Sequence, residues 1–222
     1  MRAELTAEIK TVARAHLAEH GADGLSLRAV ARDMGMVSSA LYRYYPSRDD
    51  LLTALIVDAY DAVGGAAEAA EVDVRRVDLM GRWLALCAAT RTWAVEHPHE
   101  WALIFGTPVP GYRAPTDTID PAARIPILLM ALASEAVERS TAERSSASGP
   151  MPRPVHADLR ALREQTGVPL DDHRLARGIA AWTALVGSIN FELFGHLHNV
   201  ISAYEPFFLH QMRVVGLSLE LG

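Results

Sequence analysis

Apolar side chains recur at helical spacing along most of this chain, and that spacing constrains the fold more than any other feature. In residues 3–20 they occupy one helical face, and after Ser26 they recur at i, i+3, i+4 and i+7. No stretch shows the alternating pattern of a strand. The sequence therefore predicts an all-α protein. The two faces comprise Leu5, Ile9, Val12, Ala13 and Leu17, and Leu27, Val30, Ala31 and Met34.

Capping and turn residues divide the first 64 residues into four helices. Ser26 predicts the N-cap of a second helix, and Gly35 supplies the turn after it. Ser38 predicts the cap of a third helix, which Pro46 ends because the residue before a proline is disfavoured in helical geometry. A fourth helix is expected over residues 47–64.

The sequence after residue 64 predicts longer helices and two connecting segments of loop composition. We expect a first domain of short helices over residues 1–50 and a larger all-helical domain over residues 51–222. The connections are the Pro/Gly-rich residues 106–120 and the segment 145–154. The further predicted helices cover residues 73–96, 98–105, 121–145, 155–165, 171–201 and 204–221.

The composition indicates the cellular compartment of the protein and argues against a membrane protein. A single cysteine, Cys87, excludes an internal disulfide framework and is typical of a reducing cytosol. The N-terminus has no apolar h-region, so we expect a cytoplasmic protein. Residues 178–201 hold one formal charge, at Glu192, but also many polar side chains, which favour a buried helix over a membrane span.

The stretch "GLSLRAVARDMGMVSSALYRYYPSRDDLL", residues 24–52, differs from the rest of the chain in charge. It holds four arginines and three tyrosines, although the whole chain has a net charge of −6. At about 100° per residue, the third helix should bury Val37, Leu41 and Tyr45. The opposite arc then presents Ser39 and other polar groups outward, chiefly Tyr42 and Arg43.

Two short helices joined by a tight glycine turn form a helix-turn-helix, whose second helix can enter the major groove. Hydroxyl and guanidinium groups can read base edges there. Arg32, on the second helix, is interpreted as a solvated charge, and Tyr45 as core. The basic end of an acidic chain thus predicts contact with double-stranded DNA at that end.

This stretch resembles the DNA-binding domain of the TetR (tetracycline-repressor-like) transcriptional regulators, over about residues 5–55. The resemblance implies phosphate contacts from the start of the second helix, base and backbone contacts from the third, and a basic contact, usually Lys, at the start of the fourth. Ala40 stands where a glycine or another small residue is common, and Arg43 adds a long donor. The implied contacts are Ser26, Arg28, Ser38, Ser39, Ala40, Tyr42, Arg43, Tyr44 and Arg48.

The 171–201 helix is apolar on two sides, which predicts burial on both. One stripe is expected to run from Leu175 to Leu197, with small residues such as Ala181 opposite, and Phe208, Met212, Val215 and Leu219 give a second apolar seam. TetR proteins pair their last two long helices, so the resemblance implies a homodimer on a pseudo-palindromic operator.

Aromatic residues of the larger domain predict an apolar pocket for a small-molecule effector. Part of this region is similar to the TetR subgroup with a WHG-type C-terminal domain, although Val186 stands between Trp182 and Gly187 where that label suggests histidine. The predicted pocket residues are Trp101, Phe105, Met130, Trp182, Asn190 and Phe194. The resemblance also implies that the protein is a repressor and that its ligand releases it from DNA.

Two other functions stay open at this point. The chain could be a ligand-binding or sequestering protein with vestigial DNA binding, or an all-α enzyme. The pairs His97/His99 and His196/His198 are two residues apart and do not face each other on a helix. A di-metal bundle needs two Glu-x-x-His pairs, and the sequence has this spacing only at Glu96 and His99. A phosphate loop and a nucleophile elbow are missing. We therefore expect no catalytic residues, no metal and no cofactor.

Overall fold

The computed structural model describes residues 2–139 and 150–222, and over these residues the chain is helical with no β-strand. The all-α prediction is confirmed. Residues 140–149, which include half of the predicted 145–154 loop, lie outside the described residues. The helices are α1 Arg2–His20, α2 Leu27–Asp33, α3 Ser38–Leu41, α4 Arg48–Val72, α5 Leu79–Glu96, α6 Pro98–Phe105, α7 Ile119–Arg139, α8 Arg153–Thr166, α9 Asp172–Leu193 and α10 Tyr204–Ser218, with a 3₁₀ turn at Thr116–Thr118.

The chain forms two compact units. The first contains the residues up to Gly64 together with Trp93–Ala123, and the second contains Gly65–Thr92 and Arg124–Gly222. Helix α4 begins in the first unit and ends in the second. The functional boundary between residues 50 and 51 stays a prediction.

The first unit is built around the apolar faces of α1 to α4. Ile9, Ala13 and Leu17 of α1 are buried, as their spacing predicted. Ile9 and Ala13 belong to a cluster of buried residues whose other members come from the next three helices, the α1–α2 turn and the α3–α4 connection: Leu25, Leu27, Val30, Ala31, Leu41, Tyr45, Leu51, Leu52, Leu55 and Ile56. Burial of these side chains fixes the short helices α2 and α3, which are too short to be stable alone.

The second unit contains an ion cluster around the buried Arg82. Arg82 of α5 is 1% exposed and donates to the carboxylates of Glu71 on α4 and Glu135 on α7. Helices α5 and α10 pack closely, since a Cβ at Gly216 of α10 would lie 2.7 Å from Cδ1 of Trp83 on α5. The indole N–H of Trp83 donates to the Met212 carbonyl at 2.6 Å.

Several helix ends differ from the prediction. Helix α4 continues through Gly64 and Gly65 to Val72, α5 begins only at Leu79, and α9 ends at Leu193. The end of α9 follows from Gly195, which adopts a left-handed conformation with φ +79°. Within the described residues, no helix combines the length and apolarity that crossing a bilayer requires.

Candidate nucleic-acid interface

A tight turn places α3 against α2. Gly35 has φ +66°, which favours glycine because other residues are strained there. The Met36 N–H donates to the Ala31 carbonyl at 2.8 Å, and the Gly35 N–H donates to the Arg32 carbonyl at 3.0 Å. This Schellman pair ends α2 and sets the direction in which the chain enters α3.

The third helix is a single turn followed by tighter turns. Helix α3 covers Ser38–Leu41, shorter than the predicted helix that ended at Pro46. The N–H groups of Arg43 and Tyr44 bond carbonyls three residues back, to Ala40 at 3.2 Å and Leu41 at 2.9 Å. The backbone is therefore still coiled through residue 44, and Leu41 and Tyr45 are buried as expected.

Most of the predicted DNA contacts lie on the outside of this head. The side chains of Arg28, Ser39, Tyr42 and Arg43 are exposed. Ser26, Ser38, Ala40, Tyr44 and Arg48 are half-buried. Ser26 is the N-cap of α2, as predicted, but its side chain makes no capping hydrogen bond.

The prediction of a buried face on α3 is wrong for one residue, Val37. Val37 was expected to pack beside Leu41 and Tyr45, but its side chain is 70% exposed. The reason is that Val37 is the N-cap of α3, with extended backbone angles of φ −71° and ψ 136°. The helical rotation of 100° per residue does not apply to a residue outside the helix.

Arg48 has a structural partner that the sequence did not reveal. Its Nη2 donates to the Ala22 carbonyl at 2.7 Å and its Nε donates to the Leu25 carbonyl at 3.1 Å. The side chain thus holds the α1–α2 turn, with Nη1 3.8 Å from Asp49. Its role as a phosphate contact stays a prediction, in competition with these bonds.

Two further contacts support the head. The Arg2 guanidinium lies over the ring of Tyr44, 5.7 Å from its centroid, which places a positive charge beside the α3 surface. The buried His16 of α1 lies 2.6 Å from the Asp33 carboxylate through Nε2, joining α1 to the end of α2. This hydrogen bond lowers the pKa of Asp33. Helical periodicity carries no information about such pairings between helices.

Comparison with known proteins assigns both parts of the chain. Residues 9–55 match the family model described as bacterial regulatory proteins of the tetR family. Residues 83–215 match the model described as a tetracyclin repressor-like C-terminal domain. The HTH-type transcriptional regulators Rv1816 of Mycobacterium tuberculosis and Mb1846 of Mycobacterium bovis are each 39% identical over 195 residues, which cover 87% of this chain and 82% of the relative.

The chain belongs to the TetR family of bacterial transcriptional regulators. It is accordingly a DNA-binding transcriptional regulator. A crystal structure described as that of regulatory protein SCO4313 is 33% identical, with a TM-score of 0.78 over 96% of each chain. PfmR, a TetR-family regulator from Thermus thermophilus, is 16% identical with a TM-score of 0.61, and covers 93% of this chain and 96% of its own. That likeness supports the shared fold alone.

The six predicted effector residues of this TetR protein fall into the two compact units. Trp101 and Phe105 are in the first, where Trp101 is buried and the two ring centroids are 4.5 Å apart. Met130, Trp182 and Asn190 are half-buried in the second, and Phe194 is 46% exposed. Met130 fills the space beside Gly178, where a Cβ would lie 2.8 Å from its Cε. The effector assignment stays a prediction.

Two surface clefts of the TetR chain have other linings. One, of about 290 Å³, is lined by ionisable side chains of α8 and the start of α9. In it His156 lies 2.6 Å, and Arg163 2.8 Å, from the Asp172 carboxylate, whose pKa these contacts lower, the His156 hydrogen bond most of all. The other cleft, about 320 Å³, lies between the end of α1, α6 and residues 107–110. None of the six predicted residues lines either cleft.

The last two helices leave apolar side chains uncovered. The buried line of α9 is Leu175, Gly178, Ala181, Leu185 and Ile189, so Ala181 lies on the inner side and not opposite it. In α10, Phe208, Met212 and Leu219 are buried within the chain, so they cannot form an external seam. The uncovered apolar side chains are Phe191, Phe194, Val214 and Leu217.

Proposed function

We propose that this chain is a cytoplasmic, homodimeric, non-enzymatic repressor that binds a pseudo-palindromic operator and is released by a small apolar effector. The observation that carries the proposal is the outward surface of Ser39, Tyr42 and Arg43 on a head whose opposite face is buried. This arrangement fits the major groove, where hydroxyl and guanidinium groups meet base edges. Membership of the TetR family supports the rest of the proposal.

The proposed DNA contacts fall into phosphate contacts and base contacts according to the chemistry of each side chain. Arg28, at the start of α2, and the hydroxyls of Tyr42 and Tyr44 are suited to phosphates, because they are charged or long polar groups at the rim of the head. Ser39 and Arg43 are exposed at or just after α3 and are suited to base edges. Ser26, Ser38 and Ala40 are half-buried and allow close approach of the backbone, and Arg48 supports the head from its inner side.

Dimerisation is proposed through the uncovered faces of α9 and α10. Phe191 and Leu217 are each more than half exposed, which is costly for large apolar side chains unless a partner covers them. Two-fold symmetry would then present two heads to successive major-groove turns, about 34–36 Å apart. The functional domains are proposed as residues 1–50 and 51–222, with α4 shared between the two compact units.

The effector is proposed to act by linkage. A ligand that binds more tightly to a conformer with displaced heads must weaken operator binding by the same factor, and couplings of this kind are about 1–3 kcal/mol. Helix α4 has residues in both compact units and is the natural element to carry the coupling.

The decisive experiment compares two exposed arginines of the head. Arg43→Ala should weaken binding to a duplex selected from a randomised library by about 1–3 kcal/mol, concentrated at particular base pairs. Arg32→Ala is the matched control, since Arg32 is 76% exposed and lies 3.4 Å from Asp33. Fluorescence polarisation at several salt concentrations measures both variants. Equal losses for Arg43→Ala and Arg32→Ala, or a loss uniform over all sequences, would remove Arg43 from base reading. No affinity of the wild type for any duplex would favour the sequestering alternative.

A further inference from the structure

Val37 is unfavourable for the folded chain in two ways. It occupies the N-cap of α3, where Ser, Thr, Asp and Asn are preferred because their side-chain oxygen accepts a hydrogen bond from the first helical turn. An isopropyl group accepts none, and α3 has no side-chain cap bond. The side chain is also 70% exposed, so it gains little from burial.

Three other helices, α4, α5 and α9, do begin with a side-chain cap. Asp171 accepts from the Arg174 N–H at 2.9 Å at the start of α9, and Asp78 accepts from the Gly81 N–H at 2.8 Å at the start of α5. Before α4, the Ser47 hydroxyl accepts from the Asp50 N–H at 3.1 Å, while the Asp50 carboxylate accepts from the Ser47 N–H at 2.9 Å. The N-cap residues of α2, α6, α8 and α10 also make no side-chain cap bond, so a missing cap alone does not single out Val37. What singles it out is a large apolar side chain exposed on the same head as Ser39, Tyr42 and Arg43.

The position of Val37 indicates what an exposed apolar side chain can do there. It stands at the N-terminal end of the helix that enters the groove, the end whose residues contact base edges. It directly precedes Ser38 and the exposed Ser39. An isopropyl group offers no hydrogen bond to a base, and the apolar feature that base pairs present in the major groove is the C5-methyl of thymine.

We propose that Val37 is a specificity-determining residue that reads thymine through contact with its C5-methyl group. The inference rests on the proposed insertion of α3 into the major groove and names one of its contacts. Valine also disfavours cytosine at that step, because the N4 amino donor would lose water without gaining an acceptor.

The test removes the thymine methyl groups of the DNA and the methyl groups of Val37, separately and in combination. A duplex selected by the wild type from a randomised library is resynthesised with each thymine replaced, one at a time, by deoxyuridine, which lacks only that methyl. At one thymine in each half-site we expect wild-type affinity to fall about threefold to tenfold, the effect of one or two buried methyl-sized groups. Val37→Ala should bind thymine and deoxyuridine duplexes equally at that step. Val37→Thr keeps one γ-methyl and should retain part of the difference.

The variant Val37→Ser tests whether a lost thymine preference results from misfolding. Its hydroxyl can cap α3, so its denaturation midpoint should rise relative to wild type, while its preference for thymine over deoxyuridine disappears. Identical deoxyuridine profiles for wild type, Val37→Ala and Val37→Ser would overturn the inference while leaving DNA binding intact. Failure of the wild type to bind any duplex would overturn the DNA-binding head as well, so the two failures are distinguishable.

Discussion

Replacing Arg82 by methionine tests how the second unit is held together. The Arg82 guanidinium is buried between two carboxylates, those of Glu71, which is 3% exposed, and Glu135. Its Nη1 donates to Glu135 at 2.8 Å. This hydrogen bond is the main reason why the pKa of Arg82 is raised and that of Glu135 is lowered. The three residues join α4, α5 and α7.

The expected cost follows from what each carboxylate retains. Glu135 keeps Arg76 at 2.6 Å and Arg139 at 3.6 Å, so it is still paired after the substitution. Glu71 keeps only the more distant Arg76, at 3.7 Å, whose side chain is 69% exposed. Leaving a buried carboxylate without its partner costs about 3–5 kcal/mol. Because Arg76 gives partial compensation, we expect about 3 kcal/mol, a large part of the roughly 5–15 kcal/mol that stabilises a typical domain.

Urea unfolding followed by circular dichroism measures the loss. The double variant Arg82→Met/Glu71→Leu should recover most of it, since removing a buried pair together leaves no isolated charge. Arg124→Met, in a more exposed pair with Glu68 at 2.6 Å, is the matched control and should cost about 0–1 kcal/mol. A cost below about 1 kcal/mol for Arg82→Met, or no recovery in the double variant, would refute the reasoning.

Three other expectations follow from the described contacts. Arg48→Met should lower the free energy of unfolding by about 1–3 kcal/mol because two backbone carbonyls lose their donor, and an unchanged unfolding midpoint would contradict this. Glu135→Gln should flatten the acid dependence of stability, because the lowered pKa of Glu135 gives stabilisation that is present above about pH 4.3 and lost as the pH falls through the folded value. Urea midpoints that fall equally in wild type and variant between about pH 5 and pH 3 would count against it. Leu217→Asp should convert a dimer to a monomer in sedimentation experiments, whereas Ile127→Asp, an equally exposed apolar site on α7, should not.

The long helices could be predicted from the sequence because each presents several turns of one apolar pattern. Helix α6 was predicted at the observed bounds, and α1 and α8 within two residues. Helix ends were predicted less accurately, because the end of a helix depends on capping geometry and on tertiary contacts as well as on local composition. Gly64 and Gly65, read as a break, lie inside α4, where packing outweighs the low helix propensity of glycine.

The buried face of α9 shows what periodicity leaves undetermined. When a helix is apolar on several sides, the pattern alone does not select the side that packs inward. Gly178 and Ala181 lie inward because small residues admit the neighbouring side chains, Met130 among them. The larger Phe191 is left outside. Likewise, the cluster of Glu71, Arg82 and Glu135 joins residues far apart in sequence, and no local pattern predicts it.

The DNA contacts implied by the TetR family are compatible with the structure at some residues and in competition with other bonds at Arg48. Where the family usually has lysine, Arg48 has a planar fork that reaches two carbonyls at once, which a lysine ammonium does not reproduce. A phosphate contact there must use the remaining Nη1 or break bonds that hold the α1–α2 turn. Ser39, Tyr42 and Arg43 are exposed, so DNA can reach them without dismantling the head. We therefore propose base reading for Ser39, Arg43 and Val37 and a phosphate contact for Tyr42, and we expect Arg48 to act on affinity through the position of α2.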